Sequence, residues 1–125
     1  MMKPPADAEK FGNSHYKFFM TGKTAHEAAA LCRRMGGHLA VITNKKEHEF
    51  VANLAKRNRW WLGGNKEGLT QRWHWVTGEA FRYSKWSPEG HEGKNPGQDY
   101  MILHEDGFWH DVPASSVYYF ICEWD

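Results

Sequence analysis

Residues 86–125 read WSPEGHEGKNPGQDYMILHEDGFWHDVPASSVYYFICEWD. Short apolar runs, Tyr100 to Leu103 and Tyr118 to Cys122, alternate with clusters of Gly, Pro, Asn and Asp. That alternation predicts short strands joined by long polar loops. Cys122 falls near the end of the last strand, and Cys32, the only other cysteine, lies ninety residues earlier in a helical segment. Two readings of the pair are open at this point: two free thiols, the ordinary state in the cytosol, or one bond tying the first helix to the last strand. A bond closing so long a loop adds on the order of 4 kcal/mol through unfolded-state entropy. A stapled frame carrying a long polar and aromatic loop suits a binding module.

The 125 residues fit one domain, and 41% hydrophobic content supplies a core for it. Aromatics make up 15% with seven Trp, residues that serve both cores and binding surfaces. A net charge of +1 gives no general attraction to nucleic acid or an anionic bilayer. No apolar run approaches the roughly 20 residues of a membrane span, so no membrane insertion is expected from this segment. The opening, MMKPPADAEKFGNSH, has no apolar signal region. The protein is therefore expected in the cytosol, or as one domain of a longer secreted or membrane-anchored chain.

Residues 1–14 read as a flexible leader and 15–125 as the domain. Tyr16 to Met20 predicts a first strand. Thr24 with Glu27 three residues on has the spacing of a capping box, and Gly36-Gly37 stops the helix that follows. Ala25, Ala28, Ala29, Cys32 and Met35 share one face of it, which turns Cys32 toward the core. A buried segment, His38 to Ile42, leads to a second helix with Asn44 and Glu47 at the same capping spacing and a stripe of Phe50, Val51, Leu54 and Ala55. Strands are then predicted at Trp60 to Gly64, Arg72 to Val76 and Phe81 to Trp86. Alternation places Trp61, Trp75, Tyr83, Trp86 and Trp109 in the core and makes Trp60, Trp73, Phe108 and Tyr118 or Tyr119 the exposed rings. Strand, two helices, then several strands argues for α+β.

In this order the pieces resemble a C-type lectin-like domain over residues 15–125. Thr24 to Cys32, Gly36-Gly37-His38-Leu39, and Glu47 with Phe50 come first. Trp61-Leu62-Gly63-Gly64, Trp75-Val76-Thr77-Gly78, Tyr83 and Trp86 follow, and Gly107-Phe108-Trp109-His110-Asp111 and Ile121-Cys122-Glu123 close the set. No piece is specific alone; the ordered set is. The resemblance implies two helices flanking small antiparallel β-sheets, a long loop region, and a disulfide between Cys32 and Cys122. The family's second disulfide is missing, with Tyr100 and Ala114 at its positions.

The resemblance also implies where calcium and sugar would bind. Counted without gaps from Trp86, the family's Glu-Pro-Asn-type tripeptide becomes Gly90-His91-Glu92, the further acid becomes Gln98, and the Asn-Asp pair becomes His110-Asp111. Glu92 and Asp111 alone keep their charge in place. Lys66 and Thr70 stand where an auxiliary site has acids, Asp99 is nearby, and a shifted loop offers Glu89 or Asn95. Calcium takes six to eight oxygens, several of them charged, so this set argues for weak or no calcium binding. His91, Glu92, His110 and Asp111 gathered at one loop mouth would suit zinc better; solvated loop residues are the simpler reading. A separate structural calcium site would use Glu47 and Glu123, although Val41 and Thr43 replace its other partners, and a helix cap and an ion pair account for both glutamates.

The expected function is non-enzymatic recognition, since no nucleophile stands beside a base. The expected ligand is a carbohydrate, bound with weak or no calcium dependence. The expected site comprises Glu89, His91, Glu92, Asn95, Gln98, Asp99, Trp109, His110 and Asp111. The alternative is a protein-interaction module of the same fold within a larger extracellular protein. The resemblance places the domain in an extracellular or periplasmic compartment, as part of a longer chain.

Overall fold

A computed structural model describes residues 3–89 and 91–125, without the side chain of His91. Strands β1 (Glu9–Phe11) and β2 (Ser14–Lys23) precede helix α1 (Ala25–Arg34), a short β3 (His38–Leu39) and helix α2 (Lys45–Ala55). Five strands follow: β4 (Trp60–Asn65), β5 (His74–Trp75), β6 (Tyr100–Leu103), β7 (Trp109–Val112) and β8 (Tyr118–Trp124). They join in the order β1-β2-β8-β4-β6-β7, with β3 added to β8 and β5 to β4. The antiparallel pieces are not separate sheets. Parallel pairing of Trp60 with Tyr119 and Trp61 with Phe120 couples β4 to β8 and makes one mixed sheet.

Local chemistry sets the helix ends. Thr24 and Glu27 form the complete capping box at α1. At its other end Gly36 takes φ +85°, its N–H bonds Arg33 O, and the Gly37 N–H bonds Cys32 O. That Schellman arrangement turns the chain straight into β3. Asn44 Oδ1 caps α2 by accepting from the Glu47 N–H at 2.8 Å. The Glu47 carboxylate does not complete a box there: it accepts from the Thr43 N–H, one residue further out, and from the Tyr16 hydroxyl.

The two helices cover opposite faces of the sheet. Ala25, Ala28 and Cys32 of α1 pack with Trp61, Ile102, Phe120, Cys122 and Trp124. Val51 and Ala55 of α2 pack with Trp60, Leu62, Met101, Leu103, Trp109 and Ile121. Neighbouring residues along β4, β6 and β8 thus alternate between two apolar layers. For this reason Trp60, expected at the surface, is 3% exposed: a central strand of a sheet covered on both sides has no wet face. Cys32 and Cys122 are joined by a disulfide, with Cα atoms 5.4 Å apart, inside the α1 layer.

Several expectations need correction. Part of the presumed leader is structured: Glu9–Phe11 pairs with Ser14–Tyr16 around Gly12, at φ +59°, and Phe11 stacks on Phe50 at 4.7 Å. The run expected as a strand over Arg72 to Val76 shrinks to His74–Trp75. Phe81 to Trp86 makes only an isolated bridge, Trp86 to Trp109. Its alternating rings serve packing instead: Phe81 lies 4.9 Å from Trp75, and Tyr83 lies 5.9 Å from Trp109.

Replacing both cysteines, as Cys32→Ala with Cys122→Ala, is expected to lower the unfolding free energy by roughly 4 kcal/mol. Urea unfolding followed by tryptophan fluorescence measures it; a loss under about 1 kcal/mol would contradict the chain-entropy account.

Candidate functional site

The long loop leaves and re-enters the sheet at one narrow neck. Asn65 pairs with Tyr100, and the Lys66 N–H donates to Asp99 O at 2.9 Å. Above the neck the Lys66 side chain turns inward and is 5% exposed. Its Nζ donates to Asn95 O at 2.9 Å and Gly93 O at 3.4 Å, and lies 5.8 Å from the Trp73 ring centroid. Trp73 Nε1 donates to the same Gly93 carbonyl at 2.8 Å. A buried ammonium is costly unless its donors are bonded, and these contacts offset that cost.

Asp111 holds the loop from the sheet side. It is 6% exposed, and its two oxygens accept from the Asn95 N–H and Nδ2, each at 2.9 Å. Asn95 is thus gripped at carbonyl, amide and side chain, between a lysine and an aspartate. Beside it, Glu92 takes φ +52° in the turn His91–Gly93, a left-handed conformation uncommon for a residue with a side chain. An open cleft of ≈ 560 Å³ follows the loop, lined by Arg72, Trp73, Phe81, Glu92, Lys94 and Pro96 among others.

The predicted site residues therefore separate. Glu92 lines the cleft, and Asn95 and Asp111 brace its wall. Glu89 is exposed, and its N–H bonds Ser87 Oγ. The Gln98 N–H bonds Asn95 O. Asp99 keeps Oδ1 buried without a hydrogen-bond partner. Trp109 is fully buried, with Nε1 donating to His48 Nδ1 at 3.2 Å, and presents nothing to a ligand. His110 contacts Asp106 and His104, away from the Asn95–Asp111 contact, because adjacent residues of β7 point to opposite faces. Gly90 and the His91 side chain lie outside the described residues.

This set does not fit a calcium ion. Both Asp111 oxygens are already used by Asn95, and an ammonium is bonded to the loop carbonyls. Asp99 Oδ1 offers one orphaned acceptor where six to eight oxygens are required. Glu47 and Glu123 do not make an ion site either. The Glu47 oxygens accept from Thr43 and Tyr16. Glu123 is 3% exposed, accepts from the Val41 N–H at 2.9 Å, and has its pKa pushed up to about 8, chiefly by burial. It converges with His38 and Asp125, but a carboxyl that holds its proton at neutral pH is a poor ligand.

Sequence reasoning did not single out Lys66, Arg72, Phe81 or Lys94 as lining this cleft, and named Trp73 only as one of several exposed rings. The available signal was Lys66 itself, a cation where the resemblance places an acid. It also missed His48, buried on the stripe of α2, which takes the Trp109 N–H on Nδ1 and so carries its own proton on Nε2, donated to Gly107 O at 3.0 Å.

A C-type lectin-like fold, with the residues at the family's calcium positions drawn apart, is the class this geometry defines. The Lectin C-type domain family matches residues 21–124, and the chain belongs to that family. It is 31% identical over 117 residues to the versican core protein of Rattus norvegicus, covering 91% of this chain and 4% of that protein. It is 33% identical over 130 residues to asialoglycoprotein receptor 2 of Mus musculus, covering 95% of this chain and 41% of that one. The chain thus spans less than half the length of these relatives. A crystal structure of a calcium-independent type II antifreeze protein superposes with a TM-score of 0.88 at 25% identity, covering 99% of this chain and 95% of that one. The fold class, the family and the disulfide expected from the sequence are all borne out. C-type lectin domains bind glycans or proteins, and the family is generally non-enzymatic.

Two outcomes follow from the buried ionisable groups. Lys66→Met should cost about 2–3 kcal/mol, since carbonyls bonded to a charged donor lose it, and should speed amide exchange at Asn95, read by hydrogen-exchange NMR. Unchanged protection there would remove the tether. For Glu123 the folded pKa of about 8 exceeds the ordinary 4.5. Between those values the unfolded chain releases a proton that the folded one keeps, so this group's contribution to stability falls as pH rises and levels off above about 8. Glu123→Gln should flatten the decline between pH 5 and 8 in urea melts; equal slopes in both proteins would refute the burial effect.

Proposed function

We propose that this domain is a non-enzymatic recognition module that binds carbohydrate along the long loop, with weak or no dependence on calcium. The observation that carries the reading is the cleft: ring surfaces of Trp73 and Phe81 beside the exposed polar groups of Arg72, Glu92 and Lys94. Sugars offer an apolar face for stacking and hydroxyls for directed hydrogen bonds, and this lining supplies both. Lys66 and Asp111 fix the loop through Asn95, so the cleft wall is braced by side chains rather than by an ion. The matched antifreeze protein, itself calcium-independent, supports that part of the reading. Glu92 contributes directly to the ligand surface, Asn95 and Asp111 brace it, and Glu89, Gln98 and Asp99 flank it.

A protein ligand is the second reading. A shallow groove of Gly22, Arg59, Val117, Tyr118 and Tyr119 lies elsewhere on the surface, with Val117 60% exposed. Tyr and Arg are frequent anchors of protein interfaces. For either ligand, an extracellular or periplasmic setting within a longer chain suits a domain stapled by a disulfide.

A glycan array run with calcium and again with EDTA tests the first reading. Binding in both conditions, weakened about tenfold by Arg72→Ala or Glu92→Ala, a loss of about 1.4 kcal/mol, is the expected outcome. Binding abolished by EDTA would overturn calcium independence, and no glycan bound in either condition would favour the protein ligand.

A further inference from the structure

The β6–β7 hairpin brings three metal-ligating side chains together on the half-exposed surface. His104 directly follows β6, Asp106 sits in the turn, and His110 lies on β7. The hairpin is tightly bonded: the His104 N–H donates to Phe108 O, the Gly107 N–H to His104 O, and the Phe108 N–H to Asp106 Oδ1, each at 2.9 Å. The His48 ring adds a further bond to Gly107 O from α2. These contacts fix the turn that presents Asp106.

We propose that His104, Asp106 and His110 form a binding site for a divalent transition-metal ion, with zinc as its natural occupant. One ligand atom from each residue lies within 4.8 Å of the others. His110 Nε2 is 2.8 Å from Asp106 Oδ2, and His104 Nδ1 is 3.3 Å from Asp106 Oδ1. Ligands about 2.0–2.1 Å from a tetrahedral zinc are separated by roughly 3.3 Å, so little movement closes the set. The imidazole rings lie with centroids 4.2 Å apart at an interplanar angle of 30°, so both present nitrogens to one small region. Neutral nitrogens are what a borderline-soft ion requires; calcium, which wants oxygens, is not served.

With Nδ1 on the metal, the His104 proton sits on Nε2, which faces Glu105 Oε1 at 4.0 Å. Glu105 is itself held by Arg59 at 2.8 Å. A carboxylate behind a ligating imidazole is the usual supporting arrangement at such centres. Binding replaces the 3.2 Å contact of the Asp106 N–H with His104 Nδ1 and the 2.8 Å hydrogen bond between His110 Nε2 and Asp106 Oδ2, and the proton of that bond moves to His110 Nδ1 or to solvent. Three protein ligands leave a fourth position for water or a donor from another molecule.

Isothermal titration with zinc chloride alone, on protein without a histidine tag, tests the site. The expected result is one ion bound saturably per chain, at least tenfold more weakly by His104→Ala and by His110→Ala. Long-range nitrogen NMR of the unaltered protein gives a second reading that needs no variant: the His104 and His110 imidazole nitrogens shift on zinc addition and the His48 nitrogens do not. No saturable binding, binding unaltered in both variants, or imidazole shifts confined to other histidines would overturn the proposal.

Discussion

The Cys32–Cys122 bond is the constraint on which the rest of the architecture rests. It joins α1 to β8, and β8 is the strand that pairs with β2, β3 and β4. Holding β8 against α1 holds the seam where the antiparallel hairpins become one sheet. The sulfurs are enclosed by Trp61, Phe120 and Trp124 in a layer that excludes water. The opposite layer, under α2, is closed by rings instead. Trp109 meets Trp75 and Trp86 edge-on at 5.5 and 5.8 Å and donates its indole proton to His48.

Above that frame, ordinary side chains hold the loop where the resemblance places an ion and a second disulfide. Tyr100 stands at one half-cystine position. Its hydroxyl meets His26 Nε2 at 2.8 Å, and its ring lies edge-on to Trp61. Lys66 gathers loop carbonyls with its ammonium, and Asp111 takes the matching amides. The polarity is inverted relative to a calcium centre: there carboxylates surround a cation from solution, whereas here the cation is covalently part of the chain. The bonds that grip Asn95 run between groups of the chain itself.

Much of the frame was legible because it obeys local rules. Thr24 with Glu27, Gly36 with Gly37 and Asn44 announce helix ends through hydrogen bonds that span at most five residues. The site was less legible because its partners are distant in sequence. Nothing near Lys66 reveals that its ammonium reaches Gly93 and Asn95, and nothing near His110 reveals that it turns toward His104. The aromatic run Phe81 to Trp86 misled for a physical reason: alternation records which side is apolar, whether strand pairing or ring packing makes it so. Trp60 misled in the opposite sense, since alternation cannot show that both faces of a central strand are covered.

The neck at Lys66 and Asp99 reaches beyond this one chain. Both ends of the excursion are fixed by a single backbone hydrogen bond next to a paired Asn65 and Tyr100. Between those points the chain returns to the sheet twice, at Trp75 opposite Gly64 and at Trp86 bridged to Trp109. The interior constrains those returns, where Trp75 is 1% exposed, but not the exposed stretches 67–72 and Lys94, and an architecture of this kind permits that surface to be rewritten while the scaffold stays the same.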